Sequence, residues 1–232
     1  MKTHLTSAVL LLGIAAIFIS VPQTGLAAKL GLFQHHKDVG VTPKRGKAKY
    51  QSKKDEYIVT GGGANMWLKA DAFQYLYKQV SGDVTITADV RFLGKGLEAH
   101  RKAALLIRQS LEPDSAYADV ALHGAGLTSL QYRATAGALT QEMQSDIKAP
   151  ERIQIQRHGN EFTIAVGHPG ETLKTTGPVT VVLHDPVYIG LAVCSHNANV
   201  LETAVFSNVK MGQTQKQANT RLSFLPNYVL GM

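Results

Sequence analysis

Residues 84–92, VTITADVRF, alternate strictly between apolar and polar positions. Val84, Ile86, Ala88, Val90 and Phe92 fall on one side, and Thr85, Thr87, Asp89 and Arg91 on the other. Side chains alternate across a strand, so this stretch predicts a strand with one buried face. The same period recurs in the stretch 100–134. Residues 103–109 are mostly apolar, Glu112, Pro113 and Asp114 make a turn, 117–123 alternates, Gly124-Ala125-Gly126 turns, and 127–133 alternates again. In 117–123 the apolar set is Ala118, Val120 and Leu122, opposed by Tyr117, Asp119, Ala121 and His123. In 127–133, Thr128, Leu130 and Tyr132 oppose Ser129, Gln131 and Arg133. The expectation is a sheet with an oily face and a polar face carrying Asp, His, Gln and Arg.

The rest of the chain repeats the rhythm. Residues 57–60, 71–78, 152–157, 161–166, 179–183, 188–196 and 203–211 read as strands, with a tight turn at His158-Gly159-Asn160. Residues 30–41 can add a strand to a sheet edge, and 135–149 has only weak strand character. Strands every eight to twelve residues, with no amphipathic helix after the N-terminal segment, predict an all-β sandwich or barrel.

The two ends have a different composition. Lys2 followed by the uncharged apolar run 5–21, Pro22 and the small residues Gly25 and Ala27 predict a signal peptide over 1–28. An uncleaved anchor is the alternative. The formal net charge of +7 is concentrated: residues 29–54 hold eight Lys/Arg and one acid, whereas the chain from Asp55 holds fifteen basic and sixteen acidic residues. The expected organisation is a solvated basic arm at 29–54, a near-neutral domain at 55–211 and a linker and tail at 212–232. A charge confined to an arm, without interleaved aromatics, argues against nucleic acid. It leaves anionic lipid or polysaccharide as a reading of the arm. Cys194 is the single cysteine, inside the apolar run YIGLAVCSH, and reads as a small buried hydrophobe. An exported chain without disulfides suits a periplasm or a secreted setting.

Chemistry is sparse. No His-Glu-x-x-His run and no Gly-x-Ser-x-Gly elbow occurs, and Gly61-Gly62-Gly63 lacks the Lys-Ser/Thr of a phosphate loop. Three consecutive glycines instead suit positive φ or a close backbone approach. Asp119 and His123 share a strand face but stand about 13 Å apart at roughly 3.3 Å per residue, too far for a direct dyad. Arg108 and Arg133 are the natural partners of Asp119, in an Arg–Asp bridge between strands or in a ligand site. Trp67, the only tryptophan, is either a packing residue or a platform for a sugar ring. His35-His36 point to opposite faces and make a poor metal pair. No cofactor is expected; a structural calcium would draw on loop carboxylates such as Asp71 and Asp83.

Eight short runs resemble bacterial concanavalin A-like lectin/glucanase domains: 63–67 (GANMW), 71–73 (DAF), 81–83 (SGD), 101–103 (RKA), 107–111 (IRQSL), 117–120 (YADV), 127–131 (LTSLQ) and 205–209 (VFSNV). They look closest to the branch labelled "regulation of enolase". The likeness spans roughly 57–211 and implies a jelly-roll sandwich of two antiparallel sheets with a concave carbohydrate cleft. In relatives the domain stands beside carbohydrate-active modules or β-propellers. Retaining glucanases of this fold carry a Glu-x-Asp-x-x-Glu run, which is missing here. The resemblance therefore implies a non-catalytic glycan-binding face built from Arg108, Asp119, His123, Gln131 and Arg133, with Trp67 or Tyr117 stacking and His196 and Glu202 at the margin. The competing expectations are a glycan hydrolase or lyase, and a module that packs on a partner domain. Membrane contact is expected only through an uncleaved signal.

Overall fold

The computed structural model describes residues 30–213, and strands and turns account for all of its regular structure. In chain order the strands are β1 (His35–Val39), β2 (Lys47–Gln51), β3 (Glu56–Gly61), β4 (Met66–Trp67), β5 (Ala70–Asp71), β6 (Phe73–Val80), β7 (Val84–Leu93) and β8 (Lys102–Arg108). They continue with β9 (Tyr117–His123), β10 (Thr128–Arg133), β11 (Gln141–Gln144), β12 (Arg152–His158), β13 (Glu161–Gly167), β14 (Lys174–Thr180), β15 (Val187–Cys194) and β16 (Glu202–Gly212). The first sheet has the order β1-β6-β15-β8-β9-β10-β11, the second β14-β13-β12-β7-β16-β3-β2, and β4-β5 form a small hairpin. Neighbouring strands are antiparallel throughout. Two seven-stranded sheets packed face to face make the all-β sandwich expected from the alternation, in the concanavalin A-like jelly-roll form that the resemblance implied.

The inter-sheet core follows that alternation. Leu105 and Ile107 of β8, Val120 and Leu122 of β9, Leu130 of β10 and Leu191 and Val193 of β15 meet Ile86 and Val90 of β7, Ile153 and Ile155 of β12, and Phe162 and Phe206 from the second sheet. Each large apolar side chain buried this way is worth about 1.5–3 kcal/mol.

The basic stretch 29–54 departs from the expected solvated arm. Its residues pair as edge strands on both sheets, β1 on β6 and β2 on β3. Phe33 enters the inter-sheet core and Val39 is buried on the outer face of the first sheet. Lys47 and Lys49 stay exposed along β2. An edge strand with outward lysines is a stable way to end a sheet, because charge discourages pairing with another chain. The proposed signal peptide and the apolar tail lie outside the described residues.

The larger correction concerns the outer face of the first sheet. The expected open polar face is mostly covered: β8 and β9 are buried at every position. Phe73, Tyr75 and Tyr77 of β6 form a second apolar layer there with Leu106, Tyr117, Met66 and Val39. The β4-β5 hairpin and the 111–116 turn close over it, joined by the Asp71 N–H donating to the Pro113 carbonyl at 2.9 Å. Alternation tells which residues share a face, not what later packs on that face.

Candidate functional site

The strand register sets the site. On the outer face, Lys102 of β8 stands between Cys194 of β15 and His123 of β9. One step along, Asp119 of β9 stands between Leu106 of β8 and Gln131 of β10, and Gln131 faces Glu142 of β11. Where the covering hairpin ends, a pocket of about 220 Å³ opens over this corner, lined by Asn65, Trp67, His100, Lys102, His123, Leu127, Gln131, Glu142 and His196.

Lys102 is the anchor of its floor. Its side chain is buried, and Nζ donates to Asn65 Oδ1 at 2.5 Å and to the Met66 carbonyl at 3.3 Å. Nζ also lies 6.0 Å from the centre of the Trp67 ring. His123 is held by two contacts. The Gln131 amide donates to Nε2 at 3.5 Å, so Nδ1 carries the proton and donates to the Leu127 carbonyl at 3.1 Å. Burial first, and the Lys102 charge second, push the His123 pKa down to about 4, so the ring is neutral at neutral pH. Burial and Lys102 also lower His196. The His100 ring stands between the other two, with centroids 5.7 Å from His123 and 5.5 Å from His196.

Two residues beside the pocket adopt left-handed backbone without being glycine: Leu68 at φ 54°, next to Trp67, and His196 at φ 59°. Such backbone persists where its surroundings hold it. For Leu68 the holder is visible. Its carbonyl accepts from Arg133 Nη2 at 3.1 Å, Thr140 Oγ1 at 3.1 Å and Thr140 N at 2.9 Å.

The residues expected at the site separate into three groups. Trp67, His123, Gln131 and His196 do meet at the pocket. Arg108, Arg133 and Tyr117 do not. They are fully buried around Asp71, which accepts from Arg133 Nη2 at 2.7 Å and Nη1 at 2.9 Å and lies 3.5 Å from Arg108. Tyr117 hydrogen-bonds Thr140 at 3.2 Å, with the Arg133 guanidinium 4.9 Å above its ring. The arginines thus bridge to Asp71, not to Asp119, and they clamp the hairpin that carries Trp67. Glu202 is likewise buried, paired with Arg101 at 2.6 Å. Asp71 and Asp83 stand apart: Asp83 takes His158 Nδ1 at 2.6 Å and the Gly159 N–H at 2.7 Å.

Asp119 forms the third group. It is fully buried beneath the pocket, and no side chain donates to either carboxylate oxygen; Gln131 Oε1 and Ser129 Oγ beside it are also without partners. Burial pushes its pKa well above the usual carboxylate range, against the pull of Lys102. A folded-state pKa raised above the unfolded value of about 3.9 gives stability that is present below that value and lost as pH rises through the folded one. Asp119→Asn removes the cost of ionising a buried carboxyl and supplies an amide donor to Gln131 Oε1. It is expected to stabilise the domain by about 1–3 kcal/mol at neutral pH. The gain should shrink toward pH 4. His123 titrates in both proteins, so the difference in melting temperature across pH isolates Asp119. A variant less stable at every pH would show that the carboxylate is held by donors.

Asn65, His100, Lys102 and Glu142 were not anticipated. Asn65 and Lys102 nevertheless sit inside the runs GANMW and RKA that carry the family resemblance, and Lys102 is the one charged residue on the otherwise apolar β8 before Arg108. Among the pocket residues the only carboxylate is Glu142. The paired carboxylates of a retaining glycosidase, about 5 Å apart across one bond, are not among them. The pocket offers instead an ammonium, imidazoles, an amide oxygen and an indole.

No family model matches the sequence, and no curated protein matches it. Solved structures share its fold. A functionally unknown protein from Saccharomyces cerevisiae is 10% identical with a TM-score of 0.57, over 73% of this chain and 92% of that one. The xylan beta-1,4-xylosidase of Bacillus halodurans C-125 is 15% identical with a TM-score of 0.51, over 72% of this chain and 34% of the xylosidase. The GH43 protein BlXynB of Bacillus licheniformis is 9% identical with a TM-score of 0.50, over 74% and 41%. At these identities the likeness is one of fold, and it places this chain among sandwich domains that also occur within glycan-acting proteins.

Proposed function

We propose that the pocket over β8 to β11 binds carbohydrate and that the protein is an exported, lectin-like domain without catalytic activity. The observation that carries this reading is the placement of the only tryptophan, half-buried at a pocket whose other walls are Lys102, Asn65, Gln131 and imidazoles. An aromatic face covers the C–H patch of a sugar, and a few fixed donors and acceptors take its hydroxyls. The volume, about 220 Å³, is below the roughly 300–1,000 Å³ of sites for drug-sized ligands. It suits one sugar residue, such as a chain end. Export to the periplasm or the medium rests on the composition of residues 1–28, and kinship with the "regulation of enolase" branch on the short sequence runs alone. The bacilli proteins are much longer than the stretch they share with this chain, which supports the idea that a partner domain supplies any chemistry.

An oligosaccharide array followed by calorimetry on the best ligands tests the reading. Trp67→Ala is expected to weaken binding at least about tenfold, a loss of about 1.4 kcal/mol, with the melting curve unchanged because the side chain stands at the edge of the fold. Turnover of a bound oligosaccharide would replace the lectin reading with an enzymatic one. Binding unaffected by Trp67→Ala would move the site elsewhere.

A further inference from the structure

We infer that the pocket selects a sugar carrying a carboxylate, a hexuronate residue, over its neutral counterpart. This deepens the carbohydrate reading above and rests on it.

The Lys102 ammonium has three N–H donors and no acceptor. Asn65 Oδ1 and the Met66 carbonyl take two of them. No carboxylate lies within ion-pairing distance of Nζ, and the third donor has no protein acceptor among the described residues. Yet the side chain is only 2% exposed, and a buried charge without a partner is expensive. Lys102 lines the pocket, so an anionic group entering there completes the ammonium's coordination.

The surroundings narrow the anion. His100 and His196 line the pocket with Lys102; the His196 ring donates to its own backbone, and no protein group takes a hydrogen bond from the His100 ring among the described residues. The His100 N–H is available to the same anion. On the other side, Gln131 Oε1 is buried, accepts nothing and borders the pocket beside Glu142. Those two are acceptors and call for hydroxyl donors. A ligand that presents a carboxylate to Lys102 and hydroxyls to Gln131 and Glu142, with a C–H face for Trp67, is a uronic acid. Asp119 lies beneath the same floor, but it forms no ion pair with Lys102 and no side chain donates to it, so it does not stand in for the ligand's carboxylate.

The test compares oligogalacturonate, its methyl ester, a sulfated neutral galactan and neutral xylo-oligosaccharides by calorimetry on the full chain. Expected is oligogalacturonate binding at least tenfold tighter than the ester, weakened by added NaCl. Lys102→Met should reduce the acid to the level of the ester, while Trp67→Ala weakens both. Acid and ester bound equally would overturn the acidic specificity and leave the carbohydrate reading standing. Sulfated galactan bound as tightly as the uronate would overturn the carboxylate in favour of a general anion site. No oligosaccharide bound at all would overturn both. The acid-to-ester ratio and its salt dependence are read on the wild type, so the test holds even if Lys102→Met does not fold.

Discussion

Arg133→Met is expected to destabilise the domain by about 3–5 kcal/mol, the usual loss when one partner of a buried ion pair is removed. Arg133 is fully buried. Its guanidinium makes a two-pronged bond to Asp71 and donates to the carbonyls of Leu68, Ser115 and Ala138. Methionine fills the stem but offers none of these donors. Asp71 would keep only Arg108, at 3.5 Å. Burial already drives the Asp71 carboxyl upward in pKa, with Arg133 the main force against it. Denaturant unfolding measures the loss, and Arg133→Met with Asp71→Asn closes a double-mutant cycle. The double variant also strips Arg108 of its carboxylate, so it is expected to stay at least as destabilised as the single variant, and the cycle reads the Arg133–Asp71 coupling. A single-variant loss under about 1 kcal/mol would mean that the pair behaves like an exposed one. Glycan affinity should fall as well, since Arg133 and Thr140 hold the Leu68 carbonyl and with it the hairpin bearing Trp67.

Gly63→Ala is the second large effect. Gly63 has φ +109°, and a Cβ there would overlap the backbone carbonyl of Ala72. An L side chain is strained at that φ whatever the space, and a backbone carbonyl held between β5 and β6 has little room to move aside. The expected loss is about 3 kcal/mol or more, seen as a lowered melting temperature or as insoluble expression. Gly82→Ala is the control: its φ is also positive, at +80°, but nothing lies within 4 Å of the added carbon. It should lose only the conformational part, about 1 kcal/mol. Equal losses at the two positions would show that the crowding at Gly63 is relieved by small shifts.

Much of the fold was legible because period-two alternation is a direct consequence of strand geometry. The run VTITADVRF became β7 with its buried and half-buried positions alternating as written, and the triple glycine was rightly read as a place of close backbone approach. Legibility failed where a second layer decided the outcome. Asp119, Arg108 and Arg133 share the outer face of the first sheet, as alternation requires. Whether that face meets water depends on the β4-β5 hairpin, whose position is set by long-range bonds such as Arg133 to Leu68. The aromatic row Phe73, Tyr75 and Tyr77 was the available warning, since three adjacent rings on an outer face need a cover. Of the two edge strands, β1 falls in the stretch 30–41 that was read as an edge strand, while β2 was hidden by its lysines, which resemble a solvated arm in composition while alternating like a strand.

Because the chain contains a single tryptophan and it stands at the pocket, the emission of the whole protein is the emission of its candidate binding site. A saccharide settling on Trp67 replaces water at the indole, and the spectrum should shift to the blue without any label. The seven tyrosines and five phenylalanines of the described sandwich, all buried or half-buried, absorb at shorter wavelength, so excitation near the red edge leaves only the site visible. The fold has in effect installed its own reporter where the ligand is expected, and titrations can be read from the unmodified chain.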